Sequence, residues 1–142
     1  MKTNHEILSS LLKTAQLGQA DIRSVLDTSI CPSLRDTLEA QLQEYDSIES
    51  EAHALAAQRG WEVSELEPAL RFFTDRMSRM KLTGNNTESK IAGILIQSNT
   101  RGMIKGLKAL HQSPDPDQQL QILSQKLLDC ETAHIRQMQA FL

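Results

Sequence analysis

Apolar residues recur along this chain at the 3.6-residue period of a helix, in long runs separated by short polar breaks. The first run carries Leu8, Leu12, Ala15, Gln19, Ile22 and Leu26 on one face, behind Thr3 and Glu6 at capping-box spacing. It stops near Ser29, ahead of Cys31-Pro32. The second shows Leu34, Leu38, Leu42, Tyr45, Glu49, Ala52 and Ala56, with Ser33 placed to cap it, Asp36 three residues on, and Gly60 placed to end it. Residues 61–86 form a connection in which Glu67-Pro68 opens a shorter helix. Ala69, Phe72, Phe73, Arg76, Met77 and Met80 give that helix an apolar side, and Gly84-Asn85-Asn86 closes it. A further long helix is expected from Thr87 to about Gln112, with Ala92, Leu95, Ile96, Asn99, Met103, Leu107 and Leu110 facing inward. After a turn at Ser113–Gln118, with Asp115 as cap and Pro116 as first helical residue, the last helix shows Leu120, Leu123, Leu127, Glu131, His134, Met138 and Phe141.

These elements predict an all-α fold: an antiparallel four-helix bundle in one domain, residues 1–142. The two short turns make antiparallel hairpins of residues 3–58 and 87–142, joined by the crossover 61–86. That crossover exceeds the usual bundle connection of about 2–8 residues and is long enough to run back along the bundle. Two hairpins joined by a long crossover is the topology of ferritin-like folds, an up-down bundle with a decorated loop being the alternative. Aromatics at 4% argue against a sheet.

Net charge is −3 with the two signs intermixed, which excludes the strong positive field of a nucleic-acid binder. The basic residues Arg101, Lys105 and Lys108, and Arg71, Arg76, Arg79 and Lys81 in the crossover, read as solvated faces. No stretch reaches the ~20 apolar residues of a membrane span, so a cytoplasmic location is expected. Cys31 falls in a loop and Cys130 inside a helix, so no bridge between them is expected, although Cys130 and His134 are helical neighbours. Gly102 and Gly106, four apart, suggest close helix approach along their face.

Several inward positions are polar. Counting outward from the two turns puts Gln16 level with Tyr45, Gln19 with Leu42, Asn99 with Leu127, and Gln97 and Leu95 with Asp129 and Glu131. Gln16, Gln19, Tyr45, Gln97 and Asn99 are thereby expected to form a polar layer with Glu49, Glu131 and His134. Such groups must satisfy one another or something bound.

Glu131-x-x-His134 places a carboxylate and an imidazole one turn apart, the motif of di-iron and di-manganese carboxylate bundles. Together with residues 43–52 (Gln-Glu-Tyr-Asp-Ser-Ile-Glu-Ser-Glu-Ala), 94–102 (Ile-Leu-Ile-Gln-Ser-Asn-Thr-Arg-Gly) and 127–134 (Leu-Leu-Asp-Cys-Glu-Thr-Ala-His), the chain resembles the ferritin-like superfamily. Within it the resemblance is closest to small uncharacterised bacterial members, spore-coat-like bundles among them. That resemblance implies one Glu from each of two helices and Glu-x-x-His from each of the other two. The chain departs from it: Gln16 or Gln19 and Gln97 or Asn99 stand where carboxylates are implied, and Ala52 follows Glu49 by three. Only Glu49, Glu131 and His134 remain as candidate metal ligands, for one iron or manganese ion, against a hydrogen-bonded layer with no cofactor. The depleted constellation points to a non-enzymatic bundle acting as a homo-oligomer or partner-binding module. Binding of a small apolar ligand beside the polar layer is a third possibility.

Overall fold

The computed structural model describes residues 2–67 and 86–142. Among them are four α-helices and no strand: α1 Asn4–Leu26, α2 Pro32–Arg59, α3 Thr87–His111 and α4 Gln118–Gln139. The shorter helix expected from Pro68 onward, with Phe72, Phe73, Met77, Met80 and the basic residues Arg71, Arg76, Arg79 and Lys81, lies outside the described residues.

Local chemistry sets the helix ends. Thr3 is extended and its hydroxyl accepts from the Glu6 amide at 3.4 Å, starting α1 as expected. Gly60 adopts φ 68°, and the Gly60 and Trp61 amides return to the Ala57 and Ala56 carbonyls at 3.3 and 2.9 Å. This is a Schellman closure of α2, with Trp61 packed against the core one residue beyond it. Two expected caps are displaced. α2 begins at Pro32 with Cys31 as its flanking residue, not at Ser33, because proline's fixed φ suits the first helical position. In α4 the cap is Asp117, whose carboxylate accepts from the Gln119 and Leu120 amides at 2.9 and 3.2 Å, in place of Asp115. The same carboxylate takes Arg59 Nε at 2.9 Å, so a contact with the end of α2 decides between the two aspartates.

One contiguous core joins the four helices: Leu8, Leu12 and Ile22 of α1, Leu34, Leu38, Tyr45 and Ile48 of α2, Ile91 and Leu95 of α3, and Leu120, Leu127 and Met138 of α4. α1 packs against α2 and α3, and α4 against α3 and α2, while α1 and α4 meet across the smaller diagonal contact. At one end the Lys2 amide donates to the Gln112 carbonyl at 3.2 Å, and the Asp117 amide to Asn4 Oδ1 at 3.0 Å. At the other, the Cys31 amide donates to Glu88 Oε1 at 3.3 Å. After Gly60 the chain turns along α1, where the Ser64 amide donates to Ser9 Oγ at 2.9 Å.

The helices are unequally buried: fourteen residues of α1 are buried and only five of α3. Along the second half of α3 the inward positions are small. Gly102 faces Thr14 and Glu131, Gly106 faces Leu128, and Ala109 is buried. The close approach expected of the two glycines is thus made, and it turns the helix so that Leu107, expected inside, is 41% exposed. Met103 and Leu110 are only partly covered.

Candidate functional site

The polar positions separate into three groups rather than one layer. On the α1–α2 seam, Gln16 Nε2 donates to Glu49 Oε2 at 2.8 Å and to Glu65 Oε1 at 3.2 Å, while Gln16 Oε1 accepts from the Leu66 amide at 2.7 Å. A carboxylate at position 16 could not donate to two carboxylates, so an amide is required there by its neighbours. Gln19 repeats the pattern with Asp46 Oδ1 at 2.9 Å. These partners sit a turn further along α2 than a count from the turn gives. Side chains lean toward the N-terminus of their own helix, so those of α1 lean away from the turn and those of α2 toward it. The same effect, added to the later start of α4, sets Glu131 against Gly102 rather than level with Leu95.

The second group is interior. The Tyr45 hydroxyl lies 3.0 Å from Glu131 Oε1 and 3.2 Å from Asn99 Oδ1. Glu131 is 2% exposed, and its Oε2 has no hydrogen-bond partner among the described residues. Burial pushes the Glu131 carboxyl up to about 8, against the pull of the Tyr45 hydrogen bond and with a further push from the Asp21 charge. The Tyr45 hydroxyl is raised well above its ordinary value, first by burial and then by the charge of Glu131. Gln97, expected in this layer, is exposed on α3 and takes no part.

The third group lies on the α2–α4 seam and includes a residue the sequence reading missed. His134, 0% exposed, has Nε2 at 2.7 Å from Glu44 Oε2. Cys130 Sγ lies 3.3 Å from the same carboxylate oxygen and 3.3 Å from His134 Nε2. The Tyr45 ring meets the imidazole edge-on, with centroids 4.9 Å apart at 79°. Burial lowers the imidazole below its usual value, outweighing Glu44, which pulls it up. The thiol is pushed above the usual cysteine range by burial, by its hydrogen bond to Glu44, and by the charges of Glu44 and Glu131. Both shifts favour the uncharged forms of the thiol and the imidazole.

Glu131 and His134 therefore do not converge as Glu-x-x-His suggested. On either side of the inward face of α4, one turns to Tyr45 and Gly102, the other to Glu44. Glu49 stays on the α1–α2 seam with Gln16. Among the described residues, the trio of potential ligands that closes within 4.8 Å is Glu44, Cys130 and His134. The four carboxylates and two histidines of a di-metal centre are not brought together there, so these residues do not fit one. The thiol sits nearer Nε2, which the carboxylate also takes, than Nδ1, at 3.3 against 3.9 Å, whereas a nucleophilic relay sets thiol and carboxylate on opposite ring nitrogens.

Glu44 directly precedes the inward Tyr45 and falls off the apolar stripe, with half of its side chain exposed. Its signal was the register of the α2–α4 seam, in which Gln41 Nε2 meets Gln137 Oε1 at 2.8 Å and Lys126 meets Glu51 at 2.9 Å. That register emerges only once the ends of the two helices are known to meet. No helix among the described residues is long and apolar enough to cross a membrane. No protein-family model, curated protein or solved structure matches the chain.

Proposed function

We propose that this chain is a ferritin-like bundle, each helix antiparallel to both neighbours, that holds one zinc-type divalent ion on Glu44, Cys130 and His134 and catalyses no reaction. The observation that carries the reading is the convergence of three donor atoms, Oε2, Sγ and Nε2, with separations of 2.7, 3.3 and 3.3 Å. A tetrahedral ion with bonds of about 2.0–2.3 Å holds its ligands roughly 3.3–3.6 Å apart. Opening the Glu44–His134 edge by roughly 0.6 Å or more, with smaller changes on the other two, admits the ion, and the exposed side of Glu44 leaves room for water as a fourth ligand. Thiolate with imidazole favours zinc over the iron or manganese of carboxylate centres. The antiparallel ordering is supported by Arg59 meeting Asp117, Lys2 and Asn4 meeting Gln112 and Asp117, and Cys31 meeting Glu88. The ion would staple α2 to α4, and its affinity should rise with pH as the thiol gives up its proton.

Cobalt and zinc titrations of chelator-treated protein test this. One ion per chain is expected, cobalt giving a thiolate charge-transfer band that Cys130→Ser abolishes. His134→Ala should abolish stoichiometric binding and Glu44→Gln should weaken it about tenfold or more. Absence of stoichiometric binding, or binding indifferent to Cys130→Ser, overturns the proposal.

A second reading, self-association, has its support in the groove between α2 and α4 lined by Ala54, Leu55, Ile122 and Leu123, where Ile122 is 64% exposed. A second copy of the chain covering that groove predicts a dimer in light scattering that Ile122→Glu dissociates. A monomer at all concentrations rejects it.

A further inference from the structure

α3 turns Gly102 against Thr14 and Glu131, and Gly106 against Leu128. At about 100° per residue, Ile104 stands on the opposite side of the helix from both glycines. It is 50% exposed and nearby Leu107 41%, with Met103 and Leu110 partly exposed beside them. The crest is thus apolar where a solvated helix would be polar. Arg101 and Lys108 flank Ile104 along the same crest, and Lys105 follows it. Among the described residues none of these three cations forms an ion pair. Lys13 of α1 and Lys2 just ahead of it extend the basic side. Burial first, and then the charges of Lys13 and Lys2, hold the Lys105 ammonium below the usual lysine value.

This charge runs against that of the rest of the chain. From Ser89 to Pro114 there is no acidic residue, although the chain carries a net −3. α2, with six carboxylates to two arginines, sits at the opposite corner, since α2 and α3 each pack on α1 and α4. The bundle is therefore polarised across its diagonal in the sense that turns α3 toward a negative surface. An occupant of the crest must offer negative charge over an apolar layer. The chain's own residues 68–85, with four basic residues to one acidic, do not. A second copy presenting α3 sets basic on basic. One presenting α2 brings carboxylates but, among the described residues, no exposed large apolar side chain. The groove between α2 and α4 holds Lys126 as well as Glu51, and so offers no net charge. Aliphatic side chains gain nothing from nucleic-acid phosphates. A convex crest also finds little purchase on rigid protein without a matching groove, whereas lipid headgroups part around it. We propose that α3 docks on an anionic lipid surface, with Ile104 and Leu107 reaching below the headgroups and Arg101, Lys105 and Lys108 on the lipid phosphates. The helix lies in the plane of that surface, no helix among the described residues being long and apolar enough to cross it. Docking requires neither the metal ion nor the groove between α2 and α4.

Flotation of the full chain with vesicles of phosphatidylglycerol and phosphatidylcholine in equal parts tests this. Binding should be at least about tenfold tighter than to pure phosphatidylcholine and should weaken as salt is raised. Ile104→Asn should cost about tenfold through lost apolar insertion. Lys108→Glu should cost about tenfold or more by reversing a charge beside the headgroups. Both positions are exposed, so circular dichroism should show the helix content of each variant unchanged. Leu142→Ser, which removes an apolar side chain 64% exposed at the C-terminus, should leave binding as it was. The proposal is overturned if the anionic vesicles are not bound, if phosphatidylcholine alone is bound as well, or if Ile104→Asn and Lys108→Glu bind like the native chain. An equal loss in Leu142→Ser also overturns it. So does binding of polyglutamate in place of the vesicles, which would assign the face to an acidic protein.

Discussion

The ring of Tyr45 occupies the space that a side chain at position 18 would need. A Cβ on Gly18 would lie 2.6 Å from Tyr45 Cζ and 2.7 Å from Cε2. The ring cannot retreat cheaply, because it is fully buried and its hydroxyl is engaged by Glu131 and Asn99. Gly18→Ala should therefore destabilise the bundle by about 1–3 kcal/mol, although alanine favours a helix interior by up to ~1 kcal/mol. Among the described residues nothing lies within 4 Å of a Cβ added at Gly93, so Gly93→Ala should stabilise by that propensity gain. Urea melts of both variants decide the matter; shifts in the same direction would refute the argument.

Gln16 makes a second prediction. Because its amide donates to both Glu49 and Glu65, Gln16→Glu would set a third carboxylate between them. A loss of about 2–4 kcal/mol is expected from broken hydrogen bonds and like-charge contact. Removing the acid at 65 as well, in Gln16→Glu with Glu65→Gln, should recover part of it. If the double variant is no more stable than the single one, the two carboxylates are not what position 16 answers to.

The pH dependence of stability should carry the mark of Glu131. In the folded protein its carboxyl titrates near 8, against about 4.5 ordinarily. Below the ordinary value both states are protonated and the group costs nothing. As pH rises toward 8 the unfolded chain ionises while the folded one holds its proton, so stability is lost across that interval. Glu131→Gln removes the loss: relative to native protein, the variant should gain up to a few kcal/mol between pH 5 and pH 8. Denaturant midpoints taken in chelator at both pH values measure it, and parallel behaviour of the two proteins would contradict it.

Asp117, rather than Asp115, should behave as the cap of α4. Asp117→Ala removes the acceptor of two first-turn amides and the partner of Arg59, and should cost about 1–2 kcal/mol. Asp115→Ala should stay within about 0.5 kcal/mol. The Arg59 hydrogen bond holds the Asp117 carboxyl below the ordinary range. Its contribution is thus present above that range and lost as pH falls through it, so the two alanine variants should converge in strong acid.

What could be read from the sequence was whatever depends on periodicity. α1, α3 and the apolar stripes of α2 and α4 follow from residues such as Leu8, Leu38, Leu95 and Leu127, whose burial needs no knowledge of neighbours. Thr3 and Gly60 were legible because their roles are local. Asp117 was not, since Asp115 has equal capping chemistry and only Arg59, far away in sequence, separates them. The inward turn of Gly102 and Gly106 overrode the apolar signal of Leu107, because close backbone approach rather than hydrophobicity orients that stretch. The candidate metal cluster was half visible: Cys130 and His134 share a helix, but Glu44 joins them through a seam whose register no local pattern encodes.

The shallow seating of α3 has a consequence for motion. With five buried residues against fourteen on α1, it is the helix that can leave the bundle at the smallest cost in exposed apolar surface. Its amides should exchange with solvent deuterium ahead of those of the other three helices. Gly102 and Asn99 ride on it, so each such excursion would bring water to the Glu131 carboxyl. Traffic into that interior would then be timed by the breathing of a single helix rather than by the width of a fixed doorway.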